Sequence, residues 1–277
     1  MSFRIIDKIS EQNRELWNEF VSHHPSGTIF QTPDFFDLYS GNDNYEPVFT
    51  GIIDDTGKPL AAVFAITIHE YTRLKKQFAT RTIIYGGPLL DPVVINAGEI
   101  LGLMLEALVR KVKRSSLYIE FRNFQDFSQF KDVFSFHGFQ YREHLNLVIS
   151  TKDKDEVQSG ISKSKIRQIR KSLAAGAEIK QATSIEEFDA FYALLKDLYR
   201  EKVRKPLPPI GFFRNFFDES RQGKLGVILV VRYQGRIVAG MVCPITPGKA
   251  IHEWYVCGAD QEYKELFPSV LITWGGI

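Results

Sequence analysis

The densest chemical signal in the chain is Ser162-Lys163-Ser164-Lys165-Ile166-Arg167-Gln168-Ile169-Arg170-Lys171, with five basic residues in the nine positions from 163 to 171 and no acid. Helical spacing predicts Lys163, Arg167, Arg170 and Lys171 on one side, and Ile166, Ile169 and Leu173 on an adjacent side that docks the helix. A cationic face beside a groove suits a phosphate or diphosphate, because guanidinium groups match phosphate oxygens in pairs. A solvated helix face accounts for the same residues with no ligand, and both readings stand at this point. Lys202, Arg204 and Lys205 form a second cluster at a helix end, where cations offset the dipole. Arg214 lies among Phe212, Phe213, Phe216 and Phe217, whose burial holds it near the core boundary. It either points at an anionic ligand or pairs with Asp218 one turn on.

The other candidate is Ile251-His252-Glu253-Trp254-Tyr255-Val256. Strand alternation predicts His252 and Trp254 on one face, Glu253 and Tyr255 on the other. Charge inside a strand is costly unless it is paired or used. Glu253 or His252 could act as a base on an incoming amine, and Tyr255 could donate to an oxyanion or leaving group. An edge strand with one wet face explains the segment equally. No pair of the six histidines has metal-ligand spacing with a nearby acid or cysteine, so no metal is expected. Cys243 and Cys257 fall on predicted inner strands and read as buried small hydrophobes. There is no Gly-x-Ser-x-Gly, phosphate loop or dinucleotide fingerprint.

Strands and helices alternate around these residues. The first half reads as a strand at Arg4–Ile9, a helix from Ser10, a hairpin of Pro47–Ile53 with Leu60–Glu70, a strand Arg81–Tyr85 and a helix Gly98–Arg114. Strands at Leu117–Arg122 and Gln140–Ser150 follow. The second half reads as a helix Asp155–Ala175, a strand Glu178–Gln181, a helix from Ser184 and a Phe-rich helix Gly211–Ser220. Strands Gly226–Tyr233, Arg236–Pro244 and Ala250–Cys257 come next, and Leu266–Trp274 patterns as a helix. Ser10, Gly57 and Gly86 recur as Ser184, Gly235 and Gly258 at nearly constant separation. The halves therefore read as copies, 1–150 and 151–277, packed side by side with a groove between them as the default ligand site. The second copy lacks a counterpart to the first copy's final strands and is expected to be incomplete.

Composition agrees with a folded chain. The 277 residues are 44% hydrophobic and 25% charged, with 22 Phe and 11 Tyr, so disorder is excluded as the dominant state. Net charge is +2, so any polyanion must be held by a local patch. Two cysteines cannot staple a chain of this length. The apolar stretch Leu60–Ile68 is far short of a membrane span, and no signal-peptide core opens the chain, so a soluble, cytoplasmic protein is expected.

Several segments resemble the Fem (FemABX) aminoacyltransferases of the GNAT acyltransferase superfamily. They are Thr28-Ile29-Phe30-Gln31-Thr32-Pro33 with Phe35-Phe36, Ile84-Tyr85-Gly86-Gly87-Pro88, the basic run 163–171 with Gly176, and Tyr255-x-x-Gly258-Ala259 followed by Pro268-x-x-Leu271-x-x-Trp274. The resemblance implies an α+β chain of two tandem GNAT-like domains, mixed central sheets flanked by helices, the second apparently truncated. It implies transfer of an amino acid from aminoacyl-tRNA to the amine of a peptidoglycan precursor carried on a diphosphate-linked sugar, with no metal, cofactor or covalent intermediate. Carried over, Lys163, Arg167, Arg170 and Arg214 are candidates for phosphate contacts and Tyr255 lines the acceptor groove; Tyr85 is a further substrate-binding candidate, and Glu253 and Tyr255 stand as the catalytic candidates from the strand above. The sequence departs from the family at Tyr39-Ser40-Gly41-Asn42, where members carry a diphosphate-holding basic residue. The family's C-terminal segment and the helical-hairpin insertion that some members use for tRNA are not found either. Two alternatives remain: N-acyl transfer from acyl-CoA to an amino sugar of a surface polysaccharide, and a binding module without turnover.

Overall fold

The computed structural model describes residues 3–69 and 80–277. It divides into two compact units, Met1–Asn146 and Leu147–Ile277. Among the described residues no helix is long and apolar enough to cross a membrane.

The first unit runs β1 (Phe3–Ile6), α1 (Glu11–His23), α2 (Pro33–Asp37), β2 (Tyr45–Asp54), β3 (Pro59–His69), β4 (Thr80–Gly86), β5 (Leu89–Leu90), α3 (Ala97–Val112), β6 (Tyr118–Asn123) and α4 (Lys131–Phe136). Its sheet has the order β1-β2-β3-β4-β6, with β5 on β3; β4 and β6 are parallel and the other pairs antiparallel. One face packs Ile52, Val63, Ala65 and Ile84 against Leu101, Met104, Leu105 and Leu108 of α3, the stripe that the 3.6-residue period predicts. On the other, Trp17 of α1 lies against Phe49 and Phe64. Trp17 comes so close to β2 that a Cβ on Gly51 would sit 2.4 Å from its ring.

The expected strand at Gln140–Ser150 does not form. That stretch has no strand pairing and is exposed throughout, with Leu145 at 88% and Leu147 at 94%. Its apolar residues have the strand pattern, but β6 is the last strand of the sheet order, and alternation without a partner strand yields no ladder.

The second unit runs α5 (Lys154–Gly160), α6 (Lys163–Ala174), β7 (Glu178–Gln181), α7 (Ile185–Leu198), α8 (Ile210–Arg221), β8 (Gly226–Tyr233), β9 (Arg236–Thr246), β10 (Ala250–Ile251), β11 (Val256–Gly258) and α9 (Pro268–Gly276). The sheet order is β10-β9-β8-β7 with β11 also on β9, all antiparallel. The helix expected over Asp155–Ala175 is two helices. Ile161 at the end of α5 and Ser162 at the start of α6 have extended backbone, and the Ser162 hydroxyl accepts the Lys165 N–H. One π turn, Tyr199–Val203, prolongs α7 before Arg204 leaves it in the left-handed region.

The two units share a plan. Each has a short strand (β1, β7) antiparallel to the first strand of a hairpin (β2-β3, β8-β9). Each hairpin turns on a left-handed glycine, Gly57 or Gly235. Each hairpin also has a glycine under an aromatic ring of the covering helix. A Cβ on Gly240 of β9 would lie 2.3 Å from Phe191 of α7, the counterpart of Trp17 over Gly51.

Candidate functional site

The basic run forms α6, docked on α9 through Ile169 and through Ser172, whose hydroxyl donates to the Leu266 carbonyl at 2.6 Å. Only Ile169 of the three expected docking residues is buried; Leu173 is 42% exposed and Ile166 half-buried. Helix α6 packs against α9, and Ile169 alone of the three reaches the buried cluster with Leu271 and Ile272. Lys163, Arg167, Arg170 and Lys171 line one open groove with Ile166. Lys171 pairs with Glu265, holding that carboxyl below its usual range, and lies over the Phe267 ring. Lys163, Arg167 and Arg170 are exposed and make no ion pair among the described residues. That leaves three fixed cations on successive turns facing solvent, which suits a multiply charged anion.

The segment between β10 and β11 is where alternation fails. Ile251 pairs with Ile245, but Val256 pairs with Met241, so the register slips by one residue. The slip is a bulge. The Trp254 N–H donates to the Val242 carbonyl (3.0 Å), while the Val242 N–H donates to the Tyr255 carbonyl (3.1 Å). Two residues thus oppose one, and everything beyond changes face. Glu253 and Tyr255, expected on one face, lie on opposite ones. Tyr255 joins Phe213 (4.9 Å between centroids), Trp254 (4.6 Å) and Tyr199 (6.2 Å) on the α7–α8 side. Glu253 reaches the α9 side, where its Oε1 would lie 3.0 Å from a Cβ built on Gly276. Burial raises the proton affinity of Glu253 and lowers that of His252. His252 Nε2 is 3.4 Å from Thr246 Oγ1. Glu253 therefore shares the α9 side of the sheet with α6.

Arg214 stands apart from that cluster. It pairs with Asp189 of α7 at 3.1 Å rather than with Asp218, and its guanidinium lies over the Phe188 ring, 5.5 Å from the centroid. Helix α8 packs on α7, on the face opposite α6, so Arg214 does not join Lys163, Arg167 and Arg170. Tyr85 belongs to the first unit. Its ring stacks on Phe30 (5.8 Å), the Arg122 guanidinium lies over it (5.2 Å), and Arg122 Nη1 donates to its hydroxyl at 3.3 Å. Burial pushes its proton affinity up, with Arg122 and Arg81 opposing. Cys243 and Cys257 are buried, each thiol pushed up to about 12 by burial.

Two features escape a reading of the sequence. Gln31 is fully buried, accepts from the Thr28 N–H and donates to the Gly87 carbonyl at 2.9 Å, clamping the Gly86-Gly87 turn at the end of β4. The Thr28-x-x-Gln31 spacing is a capping box that signals it. Asp260 fills the N-terminus of α9, accepting the Ser269 N–H at 3.1 Å and bonding the Ser269 hydroxyl. A carboxylate already occupies the place where a helix start would hold an anion. Among the described residues no three His, Cys, Asp or Glu group as metal ligands.

Residues 162–277 match the family model for an acetyltransferase (GNAT) domain. Among solved structures the chain is similar to FemX, at 12% identity and TM-score 0.66 over 98% of this chain and 83% of that one. An aminoglycoside 6'-N-acetyltransferase from Acinetobacter haemolyticus aligns with 54% of this chain and 99% of its own length, at 16% identity and TM-score 0.37. No curated protein matches the sequence. Residues 162–277 thus match an acetyltransferase (GNAT) domain, and along nearly its whole length the chain shares the fold of FemX.

Proposed function

We propose that the protein transfers an aminoacyl group from an aminoacyl-tRNA to the amine of a cell-envelope precursor carried on a diphosphate-linked sugar. The observation that carries this reading is the α6 face, where Lys163, Arg167 and Arg170 stand on successive turns without carboxylate partners among the described residues, on the same side of the sheet as Glu253. The cations hold phosphate oxygens of a polyanionic substrate. Glu253 accepts a proton from the acceptor ammonium, freeing the amine lone pair. That amine attacks the ester carbonyl, the C–N bond forms, the C–O bond breaks, and the departing ribose hydroxyl takes up a proton. Alignment and oxyanion stabilisation supply the rate, with no covalent enzyme intermediate. Tyr255 carries no proton in this reading, since its ring is packed among other aromatic side chains on the face opposite Glu253.

Acyl-CoA is the second donor class, favoured by the match to an acetyltransferase model. Asp260 speaks against it, because a CoA pyrophosphate at the start of α9 would meet a carboxylate already bonded to Ser269. The deciding experiment offers a nucleotide-linked peptidoglycan precursor with aminoacyl-tRNA or with acetyl-CoA and reads the product mass. A product that gains an aminoacyl residue is expected. An acetylated product replaces this reading with the second one. Binding without any product leaves a module that has lost turnover.

A further inference from the structure

We propose that Gly276 is a positioning residue for Glu253: with no side chain at that position, α9 closes onto β9 and leaves the seat in which the Glu253 carboxylate rests. The inference rests on the reading of Glu253 as the proton acceptor, but its geometry is independent of any substrate. Two successive glycines of α9, Gly275 and Gly276, each meet a different strand. A Cβ on Gly275 would lie 2.6 Å from Ile179 Cγ2 of β7. A Cβ on Gly276 would lie 2.8 Å from Met241 Cε of β9 and 3.0 Å from Glu253 Oε1. The 2.8 Å contact forces the methionine tip to shift, and at 3.0 Å the carboxylate must give way by a few tenths of an ångström.

The seat also biases the proton on Glu253. Burial in the seat raises its proton affinity. No ionisable side chain comes from α9 (Pro268–Gly276). From β9, Cys243 is the nearby titratable group, and it stays neutral because its thiol is pushed up to about 12. On β7, Lys180 pairs with Glu187 of α7, on the far face. His252, next in the chain, is biased towards neutrality by burial.

The test is the titration of Glu253 by carboxyl carbon NMR in the full chain, which needs no substrate. In the native protein the midpoint is expected above the ordinary glutamate value of about 4.3. In Gly276→Ala it is expected to fall by about half a pH unit or more, as the carboxylate is displaced into water. Gly275→Ala is the packing control: it crowds Ile179, lowers Tm and leaves the midpoint in place. An ordinary midpoint in the native protein, or an unmoved one in a folded Gly276→Ala variant, overturns the proposal. Should Gly276→Ala fail to fold, Gly276→Ala/Met241→Ala, which removes the tighter contact, is expected to fold and to show the lowered midpoint, and an unmoved midpoint there also overturns the proposal. A shifted midpoint in a protein without aminoacyl transfer would leave the seat intact and reject only the assigned function.

Discussion

Trp254 and Tyr255 stand side by side opposite the single residue Val242, with ring centroids 4.6 Å apart. This bulge turns Tyr255 towards α8 and leaves Glu253 towards α9. The two faces predict opposite results for the two substitutions. Glu253→Gln removes the proposed proton acceptor and is expected to lower kcat about 10²–10⁴-fold. Tyr255→Phe removes only a hydroxyl from an aromatic cluster and is expected to stay within about three-fold of native, well under the factor of ten that 1.36 kcal/mol represents. Steady-state kinetics with the precursor and aminoacyl-tRNA checks both, and an equal loss in each would return Tyr255 to the reaction.

The three α6 cations should act through charge. Arg167→Ala and Arg170→Ala are each expected to weaken binding of a nucleotide-linked sugar, with a larger difference at low ionic strength than at 0.5 M salt, because surface charge is screened over about 10 Å at 0.1 M. Titration calorimetry at two salt concentrations reads this. An affinity unchanged at both would make α6 a solvated surface.

Phe191 lying on Gly240 predicts a stability cost with no chemistry attached. Gly240→Ala places a methyl 2.3 Å from a fully buried ring and is expected to cost about 1–3 kcal/mol, the usual range for overpacking. Gly51→Ala beneath Trp17 should cost a similar amount, because the same device recurs. Urea unfolding measures both, and neutral substitutions would mean that the helices ride higher on the sheets.

Glu187 predicts a pH dependence of stability. Burial alone would raise its proton affinity, but Lys180 (2.7 Å) and the Thr183 N–H (3.0 Å) override it and hold the carboxyl below its usual range. A depressed folded-state value means that the stabilisation is complete above the unfolded-state pKa, about 4.3. It is lost as pH falls through the folded-state value. Glu187→Gln should therefore lower stability at pH 7 and flatten its decline below about pH 4. Parallel unfolding curves at pH 7 and pH 3 for native and variant decide it.

The exposed stretch 140–150 predicts where a protease cuts. Leu145, Leu147 and Val148 are 88%, 94% and 88% exposed on backbone without strand pairing, at the passage between the two units. Limited digestion with chymotrypsin is expected to cut there before any sheet strand, and mass spectrometry locates the cut.

The sequence by itself determined the local elements and the doubling. Apolar period sets α3 and α7, Ser10 and Ser184 mark helix starts, and the left-handed glycines Gly57 and Gly235 fix the two hairpins, because these signals act within a few residues. It also placed Lys163, Arg167 and Arg170 on one helical side. Tertiary structure decided the rest. A strand needs a partner, so 140–150 stays single despite its pattern. A bulge depends on the neighbouring register, so no alternation rule could separate Glu253 from Tyr255. Arg214 chose Asp189 over Asp218 because α7 lies beside α8, a proximity that chain spacing does not encode.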